Sequence, residues 1–322
     1  MLMLYDRATR FEQSWHIMQT QSSPQYNTEF DPLVGEPEIL APGIMRVVAP
    51  NAGPYTFRGT NSYIVGFDDV VIIDPGPDDD DHFAALLSAI SGKKCKGILL
   101  THTHLDHSAL APKMAKALNV PLMFEGMHRP SRPLNWFERD PLRKSGHYGL
   151  KPDYVVRDGS KIDLGEIGLI IHMSPGHCAN HIVIAIEGGD QLFTGDHIMG
   201  WSSSLISDPD GSLDDYFTSI EKIIHLRQTC YFPAHGGPIR NGPDFAQQLF
   251  DHRHKRNEQI LVALAAGPKW TLSLLSEIYP DIPVNIKPAA LLTLNAHLHY
   301  LIKNQDIESH GLLWAKHYRL KA

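Results

Sequence analysis

The 322-residue sequence predicts an α/β layered domain followed by a smaller C-terminal unit. Three observations carry this expectation. Short apolar strands alternate with helical segments over roughly 200 residues, the pattern of a layered α/β architecture. The composition then changes near Asp251, where a basic run of His252, Arg253, His254, Lys255 and Arg256 begins. The length also exceeds the roughly 100–200 residues of one ordinary domain.

Residues 1–36 lack sustained periodicity and end in a Pro/Gly-rich stretch, so they read as an N-terminal arm. Residues 37–250 carry the α/β domain, with strands expected at 44–48, 62–65, 70–73, 97–100, 169–171, 182–186 and 191–193. Each is short, apolar and bounded by turn residues. A helix is expected at 83–90, with Phe83, Leu86, Leu87 and Ile90 on one face. The acidic run 78–81 lies at its N-terminal end, where the helix dipole favours negative charge and no metal site is needed to explain it. Leu110, Met114 and Leu118 mark a second helix over 110–118. Residues 250–266 read as a helix stopped by Gly267-Pro268, its part from 251 to 267 connecting to the tail. In the tail, 268–322, Thr271 is placed to cap a short helix through Tyr279. Leu291, Leu294, Leu298 and Leu301 form one stripe of a helix over 288–304, with His297 and His299 read as covering its surface. A turn at Ser309-His310-Gly311 then leads into strand-like 312–320. Helices followed by a hairpin make this unit similar to a winged helix.

Composition narrows the function classes. The chain holds 29 basic against 36 acidic residues, a net charge of −7, which excludes a cationic nucleic-acid coat but leaves room for a local patch. Three cysteines without paired spacing point to a reducing, cytoplasmic compartment, with Cys95 and Cys230 read as strand or core residues. The longest apolar run, 260–266, falls far short of the roughly 18 residues that cross a membrane, so no membrane partner is expected. Met1–Leu4 meets Asp6 and Glu12 at once and reads neither as a secretory signal nor as a transit peptide.

The 19 histidines point to the chemistry. Thr101-His102-Thr103-His104-Leu105-Asp106-His107 follows an apolar strand and precedes a helix, so four potential ligands face one small volume. Imidazole and carboxylate suit zinc, and also iron or manganese. Three more ligand types sit where a strand stops beside a Gly or Pro: His177 in Ser174-Pro175-Gly176-His177, Asp196 in Phe193-Thr194-Gly195-Asp196, and His235 in Phe232-Pro233-Ala234-His235-Gly236. Side chains at several strand ends can converge on one sheet edge. Asp74, before Pro75-Gly76, reads equally as a support for a ligand histidine and as a turn former.

HxHxDH followed by these three turns resembles the metallo-β-lactamase superfamily, and its glyoxalase-II-like hydrolases more than the true β-lactamases. Gly59-Thr60-Asn61-Ser62-Tyr63, Ile73-Asp74-Pro75-Gly76, 195–202 and the His252-Arg253 helix are similar to the group called beta-lactamase-like protein two, which carries a C-terminal winged-helix-like domain. The resemblance spans about residues 38–322 and implies an αββα sandwich with a two-metal site. It puts His102, His104 and His177 on one metal, Asp106, His107 and His235 on the other, and Asp196 between both. Two departures stand out: Cys178, where the group carries a hydroxyl residue, reads as a buried and inert thiol, and Gly237 adds a glycine after His235-Gly236.

Two divalent metals, zinc first with manganese or iron as alternatives, would make a bridging hydroxide that Asp106 orients. No Gly-x-Ser-x-Gly elbow, Walker A loop or dinucleotide fingerprint offers a competing chemistry. The expected function is hydrolysis of an ester or thioester in a small acyl substrate. Single-strand endoribonuclease activity on RNA and mononuclear iron dioxygenation are the alternatives, and a non-catalytic nucleic-acid-binding module is disfavoured by the full ligand set. The flavodiiron pattern, with an acidic residue in place of His104, does not fit. Segment 128–148, with Arg129, Arg132, Arg139, Arg143 and Lys144 among Trp136, Phe137 and Tyr148, reads as a braced surface loop or, alternatively, as a lid for an anionic substrate. His181 reads as a structural or substrate-facing histidine, and His197 as pointing away from the metals.

Overall fold

The structure is a computed structural model that describes residues 23–136, 138–311 and 316–321. Its first sheet runs in chain order through β1 (Glu38–Ala41), β2 (Ile44–Val48), β3 (Asn61–Gly66), β4 (Asp69–Ile73), β5 (Lys94–Leu99), β6 (Leu122–Phe124) and β7 (Tyr154–Val155). Pairing is antiparallel from β1 to β4 and parallel from β4 to β7. The second sheet is ordered β12-β11-β10-β9-β8, from β8 (Lys161–Asp163), β9 (Gly168–Met173), β10 (Ile182–Ile186), β11 (Gln191–Gly195) and β12 (Cys230–Pro233), with only β11 and β12 parallel.

Alternation along the strands explains the layering. In β4, Val71 and Ile73 face the second sheet, whereas Val70 and Ile72 join the core beneath α1 (Asp80–Ala89) and, beyond the one-turn α2 (Leu105–Ser108), α3 (Ala111–Leu118). Both faces of the strand are covered, so it reads as a continuous apolar run rather than an alternating one. On the other side, Val183 and Ala185 of β10 pack under α4 (Leu213–Ile224) and α5 (Gly242–Ala265), while Ile182 and Ile184 face inward. The order is helix, sheet, sheet, helix. The expected αββα sandwich is what folds.

The tail adds β13 (Lys269–Trp270), α6 (Thr271–Ile278), α7 (Lys287–Lys303), β14 (Ile307–His310) and β15 (His317–Leu320). Its strands make a small sheet ordered β13-β15-β14, packed with α6, α7 and the end of α5 around Leu264, Leu274, Leu298 and Tyr318. Several elements differ from the sequence reading. α5 begins at Gly242, with Pro243 in its first turn, because its early turns carry Gln247, Gln248 and Asp251 that blur the apolar stripe; the 250/251 boundary therefore falls inside this helix. Thr271 is the first residue of α6, with Trp270 at the cap position and no side-chain cap. His297 does not cover a helix surface: it is fully buried, its Nδ1 2.6 Å from Asn257 Oδ1, because α7 packs against α5. Of the strand expected at 312–320, β15 occupies 317–320, and 312–315 lie outside the described residues, as do Phe137 and positions 1–22 of the arm. The rest of the arm lies along the body, Asn27 N–H donating to Gly200 O at 2.8 Å and Tyr26 meeting the Phe245 ring edge-on.

Candidate metal centre

Every ligand candidate emerges from the end of a strand. His102, His104, Asp106 and His107 follow β5, His177 follows β9, Asp196 follows β11 directly, and His235 follows β12. Gly176, Gly195 and Gly236 each take a positive φ at the turn before or after a ligand, a conformation that glycine adopts without a Cβ penalty. At Gly195 a Cβ would also lie 2.5 Å from His181 Nε2.

Two sets of ligand atoms result. In the first, His104 Nδ1 lies 3.0 Å from His102 Nε2 and 2.9 Å from His177 Nε2. In the second, His107 Nε2 is 3.5 Å from oxygens of both Asp106 and Asp196, and His235 Nε2 is 3.4 Å from Asp106 and 3.3 Å from Asp196. Asp196 Oδ2 also stands 3.6 Å from His177 Nε2, so this carboxylate touches both sets. His107 Nε2, His235 Nε2 and Asp196 Oδ1 are buried without a hydrogen-bond partner. Three imidazole nitrogens within 4.8 Å of one another, beside orphaned nitrogens and a carboxylate, are the donor set of divalent cations with nitrogen and oxygen preference.

The electrostatics agree. Burial and the neighbouring imidazoles hold His102 well below its usual range, and burial with His104 beside it takes His177 to about 4, leaving both neutral with lone pairs available. Burial works the same way on His107 and His235, yet the carboxylates of Asp106 and Asp196 prevail, raising His107 well above its usual range and His235 to about 9. Positive charge is wanted in this second space.

The outer nitrogens are held as well. His107 Nδ1 lies 3.0 Å from Asp74 Oδ2, and Asp74 takes further hydrogen bonds from the Thr101 N–H at 2.7 Å and the Thr101 hydroxyl at 2.5 Å. Asp74 thus supports a histidine while also forming the turn, at a φ of 50°. His177 Nδ1 donates to Leu205 O at 2.6 Å, and His235 Nδ1 to Gly59 O at 3.2 Å. His181 is structural: it accepts from the Asp196 N–H at 3.2 Å and pairs with Ser174 Oγ at 2.9 Å. His197 stacks on Tyr216. Cys178 is buried, its Sγ donates to Asn180 Oδ1 at 3.3 Å, and burial pushes its thiol well above the usual range. Two functional neighbours escaped the sequence reading. Asp210, fully buried, bonds His104 Nε2 at 2.9 Å and lies 2.9 Å from His128 Nε2. Nothing local marks either residue, since 106 positions separate Asp210 from His104.

Segment 128–148 is braced rather than open. Arg129 grips both oxygens of Glu125, at 2.7 and 3.1 Å, and Arg132 grips Glu138 and Asp208. Ser131 bonds the backbone of Pro209, next to Asp210.

Residues 55–235, more than half of the chain, match the family described as the metallo-beta-lactamase superfamily. The chain belongs to that superfamily. Membership gives it the metallo-beta-lactamase fold, in a superfamily named for metal-dependent hydrolases. Among its relatives is a beta-lactamase-like protein 2 homolog from Caenorhabditis elegans, 27% identical over 277 residues that cover 84% of this chain and 88% of the relative. Another is an atrochrysone carboxyl ACP thioesterase from Aspergillus fumigatus, 27% identical over 270 residues, 79% of each chain. A beta-lactamase domain protein from Burkholderia ambifaria has the same metallo-beta-lactamase fold, with a TM-score of 0.75, 19% identity, and coverage of 92% of this chain and 97% of its own. Among the described residues, no helix is long and apolar enough to cross a membrane.

Proposed function

We propose that the chain is a dinuclear hydrolase of acyl thioesters or esters, with His102, His104 and His177 holding one cation, Asp106, His107 and His235 the other, and Asp196 both. The observation that carries this is the pair of convergent donor sets sharing one carboxylate, with His107 Nε2, His235 Nε2 and Asp196 Oδ1 buried and unpartnered. A mononuclear site would leave the second set without purpose. The donors include no thiolate, which suits zinc, manganese or iron.

When bound, two such cations supply Lewis acidity to a carbonyl oxygen and bring the pKa of water towards neutrality. The chain's own groups do the rest. Asp106 is 30% exposed at its side chain, whereas Asp196 is 9% and His107 is fully buried, so Asp106 is the ligand that meets incoming substrate and water. Held as an anion by His107 and His235 against the desolvation of the site, it accepts a hydrogen bond from the attacking water and fixes its direction. Asp74, Asp210 and the Leu205 and Gly59 carbonyls keep the imidazoles oriented.

A relative named for thioester cleavage supports an acyl substrate. Of the cations in segment 128–148, Arg129 and Arg132 are engaged by Glu125, Glu138 and Asp208, which leaves these two no unmatched charge for RNA phosphates. The test is one purified sample assayed on acyl thioesters and on a fluorogenic single-stranded RNA, with and without chelator, alongside metal analysis. Two metals per chain and chelator-sensitive thioester cleavage are expected. RNA cleavage with untouched thioesters, or a single iron with no hydrolysis, overturns the proposal.

A further inference from the structure

A cavity of about 290 Å³ lies between the α/β body and the tail. The 199–205 loop forms one wall, the basic turn of α5 another, and the segment from Tyr279 through α7 the third. Its apolar surface comes from Tyr55, Trp201, Ile282, Ile286 and Ala289. Its polar surface is unusual in sign. Arg253 and Arg256 both line it, and among the described residues no carboxylate stands at ion-pair distance from either guanidinium. Arg253, only 2% exposed, donates from Nη2 to the Ser204 carbonyl, and its Nε is buried without a partner. Both hydrogen bonds of Arg256, to Ile278 O and Gln259 Oε1, leave from Nη1 at 2.8 Å, and its guanidinium lies over the Tyr279 ring. Trp201 Nε1 and His297 Nε2, on the same walls, are likewise buried and unpartnered.

Buried polar atoms are nearly always satisfied, and each of the three walls carries one that is not: Trp201 Nε1, Arg253 Nε and His297 Nε2. Two guanidiniums without counter-charge call for an anion, since their planar forks match a carboxylate. Burial beside Arg253 and Arg256 takes His252 to about 4, and burial lowers Arg256 as well, which is the signature of a cationic space lacking an acid. The aromatic and aliphatic remainder calls for an apolar body, and the volume sits at the small end of ligand pockets, about 300 Å³.

We infer that this cavity is a binding site for a small apolar carboxylate, of the aromatic or medium-chain acid class. It uses none of the metal ligands and does not depend on the hydrolase reading. The two sites share a wall, however. Ser204 takes the Arg253 bond on its carbonyl and gives its hydroxyl to the Asp196 carbonyl, and Leu205, a cavity residue, holds His177. The Ser204–Leu205 strip thus touches Arg253 on one side and two metal-facing residues on the other.

Calorimetric titration of the full metal-loaded chain with 2-naphthoate tests this, with 2-naphthylmethanol and 2-naphthyl phosphate as comparators. One naphthoate per chain is expected, the alcohol weaker by about tenfold or more, as loss of a charge-assisted contact predicts. Arg256→Gln should weaken naphthoate by a similar factor, and Ala289→Trp should block it by filling the cavity, both with unchanged metal content and melting temperature. No binding (a site for water only), equal binding of the alcohol, tighter binding of the phosphate, or binding abolished by chelation each overturns the inference. Failure here leaves thioester hydrolysis untouched, and failure of the hydrolase reading leaves the naphthoate titration untouched.

Discussion

At the scale of single residues, Asp196 and Asp210 do different work and predict different failures. Asp196 stands 3.3 Å from His235 and 3.6 Å from His177, so Asp196→Ala removes a contact to both donor sets. The variant should bind at least one metal fewer per chain and lose nearly all hydrolytic activity; full occupancy with intact turnover would refute its shared position. Asp210 touches no metal-facing atom and acts through His104 Nε2. Asp210→Asn keeps the shape but weakens the acceptor, and metal affinity measured by competition with a chelator should fall by roughly 10–100-fold. Unchanged affinity would reduce Asp210 to a packing residue. The seven converging side chains were legible because each sits in a short motif at a strand end. Asp210 and His128 were not, because their relation to His104 exists only after distant segments meet. His297 was misread for a related reason: a histidine on a helix shows no sign of which neighbour will bury it.

At the scale of elements, the turns matter more than the strands they end. Gly176 takes a φ of 147°, and a Cβ there would stand 2.6 Å from Tyr216 Cα, a backbone atom that cannot swing aside. Gly176→Ala should cost upwards of about 2 kcal/mol by urea denaturation and lower metal content with it, because His177 follows directly. A change below about 0.5 kcal/mol, the range of ordinary surface substitutions, would show that the turn relaxes freely. The central strands were readable as apolar runs between turn residues, since both of their faces are covered. β6 and β7, three and two residues long, were too short to show a pattern, and α4 was passed over although its apolar face is regular. The polar first turns of α5 concealed its start. The sequence of loop 128–148 leaves a lid as an alternative to a braced surface loop, and the ion pairs of Arg129 and Arg132 show it braced.

At the scale of the whole molecule, acid should unfold the chain through its buried histidines. Burial lowers His82 to about 4, burial and nearby arginines do the same to His252, and His297 is held further down. The unfolded chain takes up these protons near pH 6.5, while the folded chain resists them until about pH 4. The contribution of these three histidines is therefore complete above pH 6.5 and drains away as pH falls towards 4, by at most about 1.4 kcal/mol per pH unit for each group. Urea midpoints at several pH values check this, and His82→Gln should flatten the slope; a midpoint that rises on acidification contradicts it. The layered architecture was readable from the alternation of elements, but not the way the layers are tied together. Each donor set draws from both sheets: His102 and His104 face His177 across the sandwich, and Asp106 and His107 face Asp196 and His235. At the same rim, Asn61 Nδ2 and the Tyr63 hydroxyl reach from β3 to the Pro233 carbonyl. Sliding one sheet over the other would wrench apart both sets and this seam together. Amide exchange in the two halves should accordingly slow in concert once ions are captured, as if a rivet had been driven through the pair.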